Sequence, residues 1–161
     1  MSKKIAIRVF CFTAALAVMT FIFIMSAKNA TDSSDISKSF TREMLEFILK
    51  GFDGLSEQRQ EIIISNLQFI IRKSAHAFIY TVLGALFAGG FLTFDYIKKI
   101  KSFFVPFACS AIYAASDEIH QLFVQGRSCE FRDMCIDSAG SAIGILIVLL
   151  INYIINRNRI K

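Results

Sequence analysis

The chain has 161 residues, 55% of them hydrophobic, and its 18 basic and 13 acidic residues leave a net charge of +5. That length suits one domain, and the composition is too apolar for an ordinary soluble one, so the bilayer is the expected solvent. Four cysteines without a CxxC pair argue against a thiolate metal site, and no nucleic-acid partner is expected.

A spanning helix needs ~20 mostly apolar residues, because backbone polar groups cannot be left unpaired across ~30 Å of hydrocarbon. Four segments approach that length, at about 9–27, 74–94, 103–123 and 134–155. The expected fold is therefore all-α, a polytopic membrane protein with a four-transmembrane-helix bundle as a single domain over 1–161. The first segment follows Lys3, Lys4 and Arg8 and precedes small residues from Ser26 to Ala30, the outline of a cleaved signal peptide. Its apolar stretch exceeds a usual signal core, which favours a retained span.

Residues 28–73 form the one long connection. It should open as a loop, because Asn29 to Ser34 is rich in turn-forming residues. Beyond it, Phe40, Met44, Phe47 and Ile48 share one helical face, with Arg42, Glu43, Glu46 and Lys50 elsewhere, which predicts a short amphipathic helix on the membrane surface. Gly51 and Gly54 end it, and a second surface helix is expected over 62–71, feeding the second span. Cys11 and Cys109 fall inside predicted spans, and Cys129 and Cys135 are not expected to bridge.

Basic residues crowd the cytoplasmic ends of spans. Lys3, Lys4, Arg8, Lys98, Lys99, Lys101, Arg157, Arg159 and Lys161 lie in three short segments with one acid, Asp95. Both termini are accordingly expected in the cytoplasm and residues 28–73 outside it.

The third span has only fifteen uncharged residues, 102–116, before Asp117, Glu118, His120 and Gln121, so those groups enter the bilayer. Charge at that depth costs up to ~3 kcal/mol per residue on insertion scales and usually faces a bundle interior or a wet cavity. The four side chains cover an arc of roughly 160°, enough to face two neighbouring helices. On the fourth span Asp133, Asp137, Gly140 and Gly144 make one stripe, and on the second Lys73, His76, Tyr80 and Gly84 make its match. Arg127 and Arg132 come from the loop closing that side, beside Arg72. The cluster thus joins four cations, four carboxylates and both histidines of the chain near one membrane face.

Histidine suits proton transfer near neutrality, carboxylates act as bases, and arginine forks bind phosphate or carboxylate. His76, Glu118, Asp117, His120, Asp133 and Asp137 are the catalytic candidates, with His76 and Glu118 expected to do the acid–base work. Arg72, Lys73, Tyr80, Gln121, Arg127 and Arg132 are the substrate-binding ones. The same network could simply brace the helices, with Arg127 and Lys73 neutralising Glu118, Asp133 and Asp137. A divalent metal on His76, Glu118, Asp133 and Asp137 has suitable ligand types, but no HExxH or cysteine set supports it, so no metal and no cofactor are expected.

The run Arg72, Lys73, Ser74, Ala75, His76 with Tyr80, then 116–123 (SDEIHQLF), Gly126-Arg127-Ser128, Arg132-Asp133 and Asp137 resembles the VanZ-like family in order and spacing, over about 72–144. The resemblance marks Lys73, His76, Tyr80, Glu118, Gln121, Arg127, Asp133 and Asp137, with Asp117 and His120 shared by a subset of members. Val124-Gln125-Gly126 departs from it, since members usually carry a proline before that glycine. The resemblance implies a multi-pass protein of the bacterial cytoplasmic membrane linked to resistance to teicoplanin, a lipid-tailed glycopeptide. Three functions are open: an enzyme acting at the outer leaflet on a membrane lipid or lipid-linked cell-wall precursor, a non-catalytic binder of lipid or lipoglycopeptide, and a small transporter or flippase component.

Overall fold

The computed structural model describes residues 2–97 and 101–158. Among these described residues five α-helices follow one another: α1 Lys3–Ser26, α2 Ala30–Ile48, α3 Glu57–Phe91, α4 Lys101–Gln121 and α5 Phe131–Asn158, with one 3-10 turn at Phe52–Gly54. By length and composition α1, α3 and α5 can each cross a membrane. The segment expected as the third span is α4, long enough at 21 residues but ending in the polar group that lowers its hydropathy. Of the basic residues used for orientation, Lys98, Lys99, Arg159 and Lys161 lie outside the described residues.

The connection between α1 and α3 differs from expectation in two ways. Residues 29–34 are a helix start rather than a loop, because the Asn29 side chain accepts a hydrogen bond from the Asp32 backbone N–H at 2.8 Å and caps α2. The helix over 62–71 is not separate either. No glycine or proline interrupts the chain from Glu57 to Leu83, so α3 runs 35 residues unbroken. At 1.5 Å per residue it is about 52 Å long, and its first turns project beyond any ~30 Å bilayer core.

Between these helices sits a small core of Leu45, Phe52 and Ile64, flanked by Leu55, Ile63 and Leu67. Gly51 supplies the left-handed turn (φ 97°) that brings Phe52 into it. The Gln60 side chain donates to Phe52 O at 3.1 Å and Leu55 O at 3.2 Å, and Arg42 donates to Gln60 Oε1 at 2.7 Å. Thr41 and Leu45 are the buried positions of α2, and Phe40, Phe47 and Ile48 are exposed.

In the bundle, α3 contacts all the other helices and shares its longest interface with α5, to which it runs parallel. The approach is close enough to require glycine. A Cβ on Gly144 would lie 2.8 Å from the Thr81 carbonyl carbon, and one on Gly84 2.8 Å from Ser141 Cα. The predicted stripes therefore face each other in register, with Ser141 Oγ donating to Tyr80 O at 3.1 Å. Helix α1 is pinned at both ends. Arg8 donates to Thr93 Oγ1 at 2.9 Å and covers the Phe94 ring at 3.7 Å, Lys4 pairs with Asp95, and Tyr113 Oη donates to Met19 O at 2.5 Å. The Lys4 ammonium holds the exposed Asp95 carboxyl below its ordinary value.

Candidate functional site

The C-terminal ends of α1 and α4, the N-terminal end of α5 and the middle of α3 meet at one level, and the cluster forms there. Its inner layer is fully enclosed: Tyr80, Asp117, Glu118, Gln121 and Asp137 are all buried. Gln121 is the hub of this layer. Its amide donates to Glu118 Oε1 at 3.0 Å and Asp117 Oδ2 at 3.2 Å, and its carbonyl accepts from Arg127 Nη1 at 3.0 Å. Glu118 also accepts from the Glu130 backbone N–H at 2.8 Å, fixing the turn ahead of α5, and Asp117 accepts from Ser26 Oγ at 2.9 Å, fixing the end of α1.

An outer layer lines a polar chamber of about 150 Å³ whose walls include Arg72, Lys73, His76, Gln121, Arg127 and Asp133. Lys73 and Asp133 form an ion pair across it, with side chains only 15% and 21% exposed. Arg127 donates through Nε to the Lys28 carbonyl at 3.0 Å, tying it to the chain just beyond α1. Burial, then the neighbouring Arg72 guanidinium, lowers the pKa of Arg127, the expected consequence of two like charges brought together. Such a pair attracts an anion.

A second cavity of about 260 Å³ lies beside the chamber, among α1, α2 and α3. Its walls are mostly apolar, with Ser33 and Ser37 of α2 among them, and Arg72, His76 and Arg127 line both spaces.

The structure gathers most of the residues marked from sequence, and separates some. His76, Lys73, Asp133, Arg72, Arg127 and Gln121 share the chamber, whereas Glu118, Asp117, Asp137 and Tyr80 lie behind it. Asp133 is thus the marked carboxylate that shares the chamber with His76, and Glu118 is not among its lining residues. His120 lines neither cavity and stacks on Phe23 at 4.4 Å between ring centres. Arg132 is exposed, pairs with Glu130 at 3.3 Å and lies 5.2 Å from the Phe69 ring centre, at the rim. His76, Glu118, Asp133 and Asp137 are not brought together as a metal-holding group among the described residues.

Sequence reasoning missed three contributors. Glu130 lines the chamber although it reads as a solvated charge, and its position one helical turn before Asp133 was the available signal. Ser26 supports Asp117 from α1, and the apolar cavity takes two of its three walls from α1 and α2, where no motif is legible.

Asp117 Oδ1, Asp133 Oδ1, Asp137 Oδ2 and Tyr80 Oη are buried without a hydrogen-bond partner among the described residues. Buried polar atoms are rarely left so. These four have capacity to take up a proton or a further hydrogen bond.

No curated protein and no solved structure matches the chain. The sequence model of the VanZ/LLP1 family matches residues 10–152, beginning well before the motif-bearing stretch at Arg72. Taken with three helices apolar enough to span a bilayer, this coverage makes the chain a membrane protein belonging to the VanZ/LLP1 family.

Proposed function

We propose that the chain is a membrane enzyme acting on a lipid or lipid-linked envelope substrate at the outer leaflet of the bacterial cytoplasmic membrane. The observation that carries this reading is the single chamber in which His76, the Lys73–Asp133 pair, Arg72 and Arg127 converge. In this reading α4 is a fourth span. Its 21 residues give about 31 Å of helix, and Asp117, Glu118 and Gln121 turn inward and are buried by the protein. Both termini are then cytoplasmic, and the chamber opens at headgroup depth on the other side.

Arg72 and Arg127 hold an anionic group of the substrate, and Lys73 is released toward it when Asp133 turns to His76. His76 performs proton transfer, with Asp133 orienting the ring and stabilising its charged form. Glu118 and Gln121 act from behind by fixing the turn that carries Arg127.

A second reading, a non-catalytic binder of lipid or lipoglycopeptide, is favoured by one feature: Lys73 and Asp133 already neutralise each other, as in a structural brace. Teicoplanin susceptibility of cells producing the wild type or His76→Ala at equal membrane abundance separates the two. Loss of protection in His76→Ala supports the enzyme, and full protection by that variant overturns it.

A further inference from the structure

The apolar cavity is the feature that the proposed chemistry leaves unused. It lies among Phe21, Ile22 and Met25 of α1, Ile36 and Phe40 of α2, and Ile71, Ala75 and Ile79 of α3. At about 260 Å³ it exceeds the ~150 Å³ apolar cavities known to take up benzene or xenon. From Ile71 to Ile79 its α3 wall extends about 12 Å. Phe21 and Phe40 line it while remaining exposed, so it opens at the protein surface.

Its charge is one-sided. Arg72, His76 and Arg127 stand on the side shared with the polar chamber, and among the described residues no carboxylate lines the cavity. The Ser37 hydroxyl already donates to Gln68 O at 3.3 Å. An occupant must therefore be a hydrocarbon chain with an anionic group at one end, the anion reaching the two guanidinium groups.

We infer that this cavity is an acyl-chain site, taking one chain of an anionic glycerophospholipid whose headgroup phosphate rests on Arg72 and Arg127. The inference rests on the lipid-directed reading of the chamber and deepens it, naming the substrate class. Helix α2 becomes the wall that closes over the chain. Its cap at Asn29 and the hydrogen bond from Ala30 N–H to Gln125 O at 3.2 Å hold that wall against the turn carrying Arg127. Lipid enters laterally from the leaflet, as a bilayer component would, and its headgroup arrives beside His76 without leaving the interface.

The full chain is reconstituted in vesicles containing trace phosphatidylglycerol or phosphatidylcholine with a photoactivatable diazirine in one acyl chain. Crosslinked residues are then mapped by mass spectrometry. Labelling is expected at Ile36, Phe40 and Ile79, at least fivefold stronger from phosphatidylglycerol than from phosphatidylcholine. Ala75→Trp, which fills the cavity, should reduce it at least fivefold while leaving annular labelling at Ile147 and Leu150 of α5 unchanged. Arg72→Glu should abolish the headgroup preference, which provides a second test if Ala75→Trp does not fold.

Equal labelling from both lipids, or cavity labelling unaffected by Ala75→Trp in folded protein, overturns the inference. Displacement of the probe by equimolar polyprenyl phosphate overturns the glycerophospholipid as occupant. Lipid turnover by a protein without cavity labelling removes this site and leaves the enzyme standing. Cavity labelling in a protein without turnover removes the enzyme and leaves this site.

Discussion

Lys73→Met is expected to destabilise the folded protein by ~3–5 kcal/mol, the cost of leaving one member of a largely buried ion pair without its partner. The pair with Asp133 is the ionic link between α3 and α5 at the chamber, and both side chains are far less exposed than in ordinary surface pairs. Among the described residues Asp133 Oδ1 has no hydrogen-bond partner, so loss of the ammonium leaves a largely buried carboxylate without its counter-charge. The double variant Lys73→Met/Asp133→Leu should recover most of the loss, because an apolar pair of similar volume avoids desolvating either charge. Denaturant unfolding in micelles reads both. If the single variant is as stable as the parent, the pair is solvated and braces nothing.

His76→Gln is expected to lower turnover by ~10²-fold or more, the range over which a positioned acid or base contributes. The substitution keeps hydrogen-bonding capacity and removes the imidazole, the side chain able to accept and pass on a proton. Its effect on stability should be small by comparison, since among the described residues no hydrogen bond or ion pair to this side chain holds the helices together, unlike Lys73. Turnover rate and unfolding midpoint measured on one preparation separate the roles. A variant that loses stability and activity in proportion would make His76 a structural residue.

The contrast between these two neighbours on α3 shows what sequence could and could not supply. Helical phase alone placed Lys73, His76, Tyr80 and Gly84 on one stripe and Asp133, Asp137, Gly140 and Gly144 on another. The structure brings the stripes together in parallel at Lys73–Asp133, Ala77–Gly140 and Gly84–Ser141. Periodicity and the glycine spacing carry that information because close helix approach depends on them. The depth of each group was not legible. Asp117, Glu118, His120 and Gln121 read as one polar group, yet Gln121 lines the chamber, Glu118 buttresses a turn and His120 stacks on α1, distinctions set by which neighbour each side chain meets.

Local chemistry misled in the connection. Asn29 to Ser34 carries residues common both to turns and to helix N-termini, and the cap prevailed because Asn29 could reach the Asp32 N–H. The apolar cavity left no trace in the pattern either, since its walls come from three helices and only their packing creates the space.

The claim that the chamber reacts on lipid is met most directly by mass spectrometry of the purified protein in vesicles of envelope lipid, followed over time. The account predicts a lipid species that accumulates with the wild type and not with His76→Gln. An unchanged lipid profile under the wild type, with lipid bound to folded protein, would contradict it and leave a binder in place of an enzyme.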